Sequence, residues 1–428
     1  MNLADGRLLE DEEKRTVLEH LDERIARTLE NGRLSPQTVI DACDALSQSL
    51  SAEEHLPALL ELGFDPEVAR DSLLEVKEML GRDCLAAKLE AELGGHYWEP
   101  KQYTPQNRGE PVVERIAPLG VLLHIAAGNA DGLPVFSVIE GLLAGNINIL
   151  KLPGTGDPIS GAVIMRLIEI EPALSDYIYV FDYSSGELEA IKKLADVSDA
   201  VVIWGGDAAV GAVRSLLSPE TKIIEWGHKL SFAYVTEGGM RDADLSGLTH
   251  NICRTNQLFC TSCQGIFIDT DQMETVYRFC ERFLKILEET AKQYSAKIDI
   301  GLQAQTTLRL YTESLDSLYR EKRIFKGDGC SVIACADQVL ESGMMHRSVW
   351  VKRLPRRELL RTLKPYKNHL HTVGLLCADS ERAELSDLLC KTGVVRVTKG
   401  ENMSSPYCGC AHDGEYPLRR YTKIVSYE

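Results

Sequence analysis

Cys260 lies in Asn256-Gln257-Leu258-Phe259-Cys260-Thr261-Ser262, on a loop directly ahead of a strand-like run. A nucleophilic cysteine has to be accessible and has to form its thiolate readily. A loop at the junction of two domains meets the first requirement. The chemistry open to such a thiol is attack on a carbonyl carbon, with the acyl group then carried as a thioester. Composition does not single Cys260 out of the 12 cysteines. For any one of them a packing role outweighs a reactive one by roughly ten to one. Cys263, three residues on, has two readings, a redox-sensitive partner of Cys260 or, more commonly, a buried thiol. Cys408, Cys410 and His412 alternate at period two and would share one face of a strand. A tetrahedral zinc site needs a fourth ligand, and no second paired Cys/His motif is present, so no metal site is predicted.

The elements around this loop read as an α/β protein. Residues 1 to about 95 carry successive helical patterns: Glu10 to Glu30, a start at Ser35-Pro36, a start at Ser51 that ends by Gly63, a start at Asp65-Pro66 that closes at Gly81, and Arg82 to Leu93. Capping residues and glycine stops mark these boundaries. Beyond a polar, proline-bearing stretch from Trp98 to Glu114, β-rich runs appear at Gly120–Ala126, Ile147–Leu152, Tyr177–Tyr183, Ala200–Trp204 and Lys222–Trp226. Helical patterns separate them, near 132–144, 157–170, 185–195 and 207–217. Strands alternating with single helices predict a parallel, doubly wound sheet, an architecture that commonly binds nucleotides. A second alternation follows Cys260, with strands at Gly265–Asp269, Ser331–Ala336, Ser348–Leu354, Thr372–Cys377 and Val394–Thr398 and helices near 272–294 and 303–321. The tail Leu418–Tyr427 reads as one more strand. The predicted domains are a helical region 1–97, a dinucleotide-binding domain 98–237, a catalytic domain 238–404 and a tail 405–428.

The whole chain narrows the function classes. It has 428 residues, 44% of them apolar, and a formal net charge of −17. That balance argues against a nucleic-acid partner while leaving room for a local basic pocket. No run reaches the roughly 18 consecutive apolar residues of a membrane span. The start MNLADGRLLEDEEKR lacks the layout of a secretion signal. The expectation is a cytoplasmic protein with reduced thiols.

The nucleophile loop resembles that of the aldehyde dehydrogenase superfamily, which carries Asn, Gln and Cys at this spacing ahead of a strand such as Thr-Ser-Cys-Gln-Gly-Ile-Phe-Ile. The acidic Asp242-Ala243-Asp244-Leu245 also matches, while Asn256 replaces the family's glycine. Glu225-Trp226-Gly227-His228-Lys229 is similar to the family's Glu-Leu-Gly-Gly-Lys element and implies Glu225 as general base, against the plain reading of a surface glutamate at a strand end. Ile125-Ala126-Ala127-Gly128-Asn129 occupies the place of a Pro-x-Asn loop and implies Asn129, with the Cys260 N–H, as oxyanion donor, against the plain reading of a turn asparagine. Gly206 to Gly211 matches the family's glycine pair, and Gly206 would let the backbone approach a pyrophosphate at a helix N-terminus. Lys151-Leu152-Pro153-Gly154 matches the segment that grips the adenosine ribose. Relatives that prefer NAD often carry Glu at the place of Gly154, and a carboxylate there repels a 2′-phosphate. The resemblance therefore implies NADPH, with NAD as the alternative. Gly227 completes the implied cofactor set.

Three further motifs resemble the acyl-CoA reductases of the bacterial bioluminescence type, the LuxC family: Glu-Trp-Gly-x-Lys, Lys364-Pro365-Tyr366-x-Asn368-x-Leu370-x-Thr372-Val373-Gly374, and His412-Asp413-Gly414-x-Tyr416-Pro417-Leu418. The fold this implies is two doubly wound α/β domains, an N-terminal helical layer and a C-terminal oligomerisation strand, hence a homo-oligomer. The implied reaction is NADPH-dependent reduction of an acyl thioester to the aldehyde through acyl-Cys260, the donor being acyl-CoA, an acyl carrier or an acyl-protein synthetase. His412 is also a candidate neighbour of the acyl or thiol site. The alternatives are an aldehyde dehydrogenase, CoA-acylating or not, on the same fold, and a non-catalytic scaffold subunit. Retention of Cys260, Asn129 and Glu225 together argues against the last.

Overall fold

The computed structural model describes residues 1–51, 56–57, 66–126, 133–153, 158–294, 308, 312 and 322–428. The chain divides into two units. One holds Met1–Ser51, Leu74–Gly227 and Cys408–Glu428; the other holds Ala52–Leu73 and His228–Tyr407. The chain passes from the first unit to the second between Gly227 and His228.

The first unit opens on a hairpin. Strands β1 (Leu3–Ala4) and β2 (Arg7–Leu8) turn on Asp5 and Gly6, with φ of 49° and 70°. Positive φ at both central residues suits the twist of a two-residue hairpin. Helices α1 (Asp11–Glu19) and α2 (Leu21–Glu30) replace the single helix read over Glu10–Glu30, because His20 leaves the helical region between them. Ser35 accepts from the Gln37 N–H at 3.2 Å and Pro36 opens α3 (Pro36–Ser49), as the sequence predicts. Helices α4 (Pro66–Leu80) and α5 (Arg82–Leu93) follow. Most of the helix expected from Ser51 to Gly63 lies outside the described residues.

The predicted alternation then appears. After β3 (Lys101–Tyr103) and β4 (Val112–Pro118) come β5 (Val121–Ile125), α6 (Leu133–Leu143), β6 (Ile147–Lys151), α7 (Pro158–Ile170), β7 (Ile178–Phe181), α8 (Leu188–Asp196), β8 (Ala200–Trp204), α9 (Asp207–Arg214) and β9 (Lys222–Trp226). The sheet order is β2-β1-β7-β6-β5-β8-β9, parallel from β7 to β9. Strands β5 to β8 are buried on both faces, which is why they read as continuous apolar runs. The chain reverses direction across the sheet between β5 and β8, and open parallel sheets bind ligands at such a switch point.

One buried polar chain ties this sheet to the C-terminus. Asn148 Nδ2 donates to Asn146 O, which leaves Asn148 Oδ1 as the acceptor facing His124 Nε2 at 3.0 Å. His124 therefore carries its proton on Nε2, and Ser137 donates to Nδ1 at 2.7 Å. Ser137 Oγ in turn accepts from Trp204 Nε1 at 3.1 Å and lies 3.4 Å from the Tyr421 hydroxyl. The tail itself forms α14 (Pro417–Arg420) and then β17 (Thr422–Tyr427), which joins β4 and β3 in a three-stranded sheet with β17 at one edge. A disulfide joins Cys84 of α5 to Cys408, whose Cα atoms are 4.9 Å apart. This corrects the expectation that all the thiols are reduced. No sequence spacing announces a pair 324 residues apart.

The second unit contains β10 (Leu230–Val235), α10 (Asp242–Thr255), β11 (Cys263–Ile268), α11 (Met273–Ala291), β12 (Lys322–Gly327), β13 (Cys330–Cys335), β14 (Ser348–Arg353), α12 (Leu359–Leu363), β15 (Leu370–Leu376), α13 (Asp379–Thr392) and β16 (Arg396–Thr398). The helix expected near 303–321 lies almost wholly outside the described residues. The sheet order is β12-β13-β14-β11-β10-β15-β16, with only β12 antiparallel. Phe279, Phe283 and Leu287 of α11 and Leu245, Leu248 and Ile252 of α10 cover one face; Leu359, Leu363, Leu385 and Leu389 cover the other. Parallel strands put all their entry loops on one edge. The segments before β10, β11, β14 and β15 are therefore neighbours.

Among the described residues no helix is long and apolar enough to cross a membrane.

Two predictions follow from the packing. Gly265 pairs with Trp350, and a Cβ on Gly265 would fall within 2.0 Å of the indole. Gly265→Ala is expected to cost about 1–3 kcal/mol, read as a lowered thermal midpoint. An unchanged midpoint would show that the indole is free to move. Burial holds the His124 imidazole down at about 4, against an ordinary 6.5. Between these values the unfolded chain binds the proton and the folded chain does not, so stability is complete above pH 6.5 and is lost as the pH falls toward 4. The loss is about 3 kcal/mol at the acid end. Urea midpoints of wild type and His124→Gln from pH 7 to 4 are expected to converge on acidification; a constant gap would contradict this.

Candidate active site

The nucleophile loop begins where α10 stops. Asn256 is the C-cap, in the left-handed region at φ 46°, ψ 24°. Asparagine tolerates this conformation better than other residues with a Cβ. Gln257 continues at φ 62° and is fully buried. Its Nε2 donates to Cys263 O at 2.9 Å, and its Oε1 accepts from the Ser348 N–H at 3.1 Å. Its own carbonyl accepts from Gln264 Nε2 at 2.8 Å. One side chain thus joins the first residues of β11 and β14, which explains the need for glutamine at this place.

The remainder of the loop is fixed through backbone and hydroxyl groups. Ser231 at the start of β10 donates to the Cys260 carbonyl at 2.6 Å and accepts from the Thr372 N–H at 3.1 Å. Thr261 Oγ1 and Ser404 Oγ lie 3.1 Å apart, and Asn251 Nδ2 donates to the same Ser404 hydroxyl. Ser231 and Ser404 are neighbours of the loop the sequence reading missed, since a lone serine at a strand entry or in a loop carries no motif. Lys229 Nζ donates to Asn368 O at 2.9 Å, joining the Glu-Trp-Gly-x-Lys and Lys-Pro-Tyr-x-Asn motifs.

Burial separates the cysteines. Cys260 and Cys390 are exposed, and Cys410 is half-buried. Burial pushes the thiols of Cys43, Cys263 and Cys330 up to about 12 and those of Cys253 and Cys335 up to about 11. Cys263 is wholly buried with its thiol on Gly265 O, so it is a core residue and not a redox partner of Cys260. Cys408 Sγ is bonded to Cys84, which removes it as a thiolate ligand. His412 packs edge-on against Trp204 and Trp226, at ring distances of 5.1 and 4.9 Å. That places it at the ends of β8 and β9 in the first unit. Among the described residues no group of three or more His, Cys, Asp or Glu is arranged to hold a metal ion.

The first unit carries the residues expected to bind a dinucleotide. Lys151 ends β6 with its amine largely buried; burial lowers its pKa, and Glu187 partly offsets this. Gly206 is the N-cap of α9, and Gly211 lies within that helix. A Cβ on Gly206, Gly211 or Gly227 would meet nothing within 4 Å. Protein packing does not require glycine there, and at Gly206 the open N-terminus of α9 would admit a phosphate. These residues are compatible with a nicotinamide dinucleotide: the α9 N-terminus would be available to its pyrophosphate and Lys151 to its ribose. Glu225, on β9, accepts from Arg214 Nε at 2.6 Å, and Arg214 Nη2 reaches the same oxygen. Its carboxylate is thus engaged within its own unit. Asn129 and Gly154 lie outside the described residues.

In native protein, iodoacetamide is expected to label Cys260 and Cys390 well before Cys43, Cys253, Cys263, Cys280, Cys330 and Cys335, as read by peptide mass mapping. Labelling of Cys263 at the rate of Cys260 would contradict this burial pattern.

The family described as "Acyl-CoA reductase (LuxC)" matches residues 33–424. A long-chain acyl-protein thioester reductase of Aliivibrio fischeri is 24% identical over 383 residues, 86% of this chain and 75% of the relative. One from Photobacterium phosphoreum is 25% identical over 382 residues, again 86% of this chain and 74% of the relative. Among solved structures, a 3,6-anhydro-L-galactose dehydrogenase in complex with NAP superposes with a TM-score of 0.70 at 12% identity, covering 100% of this chain and 99% of that one. A bifunctional proline utilization A protein gives 0.73 at 15% identity; 98% of this chain is covered but only 45% of that one, so this chain spans about half its length. The two seven-stranded α/β sheets are those of the aldehyde dehydrogenase fold, and the chain belongs to the acyl-CoA reductase (LuxC) family.

Proposed function

We propose that the protein reduces a long-chain acyl thioester to the aldehyde, with NADPH as reductant and acyl-Cys260 as the covalent intermediate. The observation that carries this reading is the presentation of Cys260. It is exposed on a loop anchored from three strands, and Leu258 and Phe259 beside it are 53% and 50% exposed. Exposed apolar side chains next to a nucleophile suit an acyl chain better than a small polar substrate. The relatives' names, which specify long-chain acyl-protein thioesters, point the same way.

In this mechanism the Cys260 thiolate attacks the thioester carbonyl, and a carbon–sulfur bond forms as the donor thiolate departs. The Cys260 N–H and Asn129 hold the oxyanion. NADPH, when bound, supplies the hydride to the acyl carbon. Cleavage of the Cys260 carbon–sulfur bond then releases the aldehyde and restores the thiolate. Lys151 holds the adenosine ribose, and Gly206, Gly211 and Gly227 leave room for the dinucleotide; glycine at 154 fits a 2′-phosphate. Glu225 is the general base, released from Arg214 when it acts. Water has to be excluded from acyl-Cys260, because hydrolysis would discard the acyl group. The donor is acyl-CoA or an acyl group on a partner protein, drawn from the cytoplasm. Strand β17, at the edge of its sheet with Ile424 exposed, is the surface through which the chain forms a homo-oligomer.

Incubation with tetradecanoyl-CoA and NADPH is expected to give tetradecanal with equimolar NADPH oxidation, and Cys260→Ala is expected to abolish both. Faster oxidation of tetradecanal by NAD to the free acid, with no aldehyde formed from the thioester, would favour an ordinary aldehyde dehydrogenase and overturn the proposal.

A further inference from the structure

Seven non-glycine residues among those described have positive φ, and five of them form two facing segments. One is Asn256 and Gln257, at 46° and 62°. The other is Met345, His346 and Arg347, at 62°, 48° and 64°. L residues rarely adopt this region, and such conformations persist only where their surroundings over-determine them. Three consecutive left-handed residues with large side chains and no glycine are therefore held by something, and the hydrogen bonds identify it. The His346 N–H donates to Asn256 O at 2.9 Å. The Ser348 N–H donates to Gln257 Oε1 at 3.1 Å.

Arg347 closes the clamp. It is 5% exposed, and its guanidinium spans three separate acceptors. Nε donates to Asn256 Oδ1 at 3.1 Å, Nη1 to Ala291 O at 3.2 Å and Nη2 to Tyr294 O at 3.1 Å. Ala291 is the last residue of α11 and Asn256 caps α10, so one planar fork ties the C-terminal ends of both helices together. The carbonyls at a helix C-terminus carry partial negative charge and suit a cation. A lysine cannot reproduce this, since its single ammonium does not reach three acceptors in a fork. Asn256 also does here what the family's glycine cannot, because its side chain supplies one of the acceptors.

We propose that Arg347 is a positioning residue for acyl transfer: it locks the left-handed Asn256–Gln257 turn from which Cys260 is presented to the thioester. The proposal rests on the reading of Cys260 as nucleophile given above. Arg347 touches no reacting atom in it. A displacement of about 1 Å at a nucleophile costs on the order of 100-fold in rate, which sets the size of the expected effect.

The test compares wild type with Arg347→Lys, Arg347→Met, Asn256→Gly and the double variant Asn256→Gly/Arg347→Met. Three readouts are taken: the rate of tetradecanoyl transfer from CoA to Cys260 by intact mass, the rate of Cys260 alkylation by iodoacetamide, and the NADPH dissociation constant by fluorescence. Both Arg347 variants are expected to slow acyl transfer by roughly 10- to 100-fold while NADPH affinity stays within about 2-fold. The double variant is expected to be no slower than Arg347→Met alone, because the shared contact is already gone. Acyl transfer by Arg347→Lys within about 2-fold of wild type would overturn the proposal. So would a parallel fall in acyl transfer and NADPH affinity, which would indicate general loosening. Should Arg347→Met fail to fold by circular dichroism, Arg347→Lys and Asn256→Gly decide the matter. If wild type itself takes up no acyl group, the functional reading of Cys260 fails. Alkylation then still decides the role of Arg347: a fall with both Arg347 variants supports it, and wild-type rates refute it.

Discussion

The Gln257 side chain is the contact on which the second unit's chemistry depends. Parallel strands β11 and β14 lie side by side, and their first residues have to be joined before either can hold a loop in place. The Gln257 amide does this by donating to Cys263 O and accepting from the Ser348 N–H. A buried amide satisfied on both sides is costly to leave half-paired, so the turn that delivers it is over-determined. That turn is left-handed at both Asn256 and Gln257. Asn256 makes it accessible, and the Met345–Arg347 segment encloses it.

The two sheets offer their working residues in opposite senses. In the first, Lys151, Gly206 and Trp226 stand at the strand exits, where the topology reverses and helix N-termini point outward. In the second, the nucleophile loop, His228–Lys229, Met345–Arg347 and Asn368–His369 stand at the strand entries. A nucleophile ahead of a buried strand is held by the sheet behind it. A dinucleotide at strand exits meets backbone N–H groups that secondary structure has left unpaired. In the proposed reaction each half would use the edge whose physical chemistry suits its task.

Much of this was legible in the sequence, for definable reasons. Strands β5 to β8 and most strands of the second sheet are buried on both faces, and continuous apolar runs between glycine and proline signals announce them. Strand β10 escaped notice because only Gly227–Lys229 separate it from β9, so the chain passes to the second unit without a linker. Strand β12, Lys322–Gly327, is an edge strand in which Lys322, Arg323 and Lys326 leave only Ile324 and Phe325 as an apolar run, so it reads as loop. The two-residue β1 is too short for any periodicity. Cys260 was placed by its motif, and burial of its rivals was visible only in three dimensions. Arg347 carried no signal at all. Left-handed turns are recognised from glycine or asparagine, and Met-His-Arg is neither. The Glu225–Arg214 pair joins a strand to the helix before it, a contact set by packing and not by spacing.

The account stands on an acyl group passing through Cys260. Mixing the enzyme with tetradecanoyl-CoA in the absence of nucleotide and measuring intact mass tests this directly. The account predicts a single tetradecanoyl adduct that maps to Cys260 and disappears as tetradecanal when NADPH is added. An unmodified enzyme that still forms aldehyde, or an adduct on another residue that NADPH discharges, would contradict it.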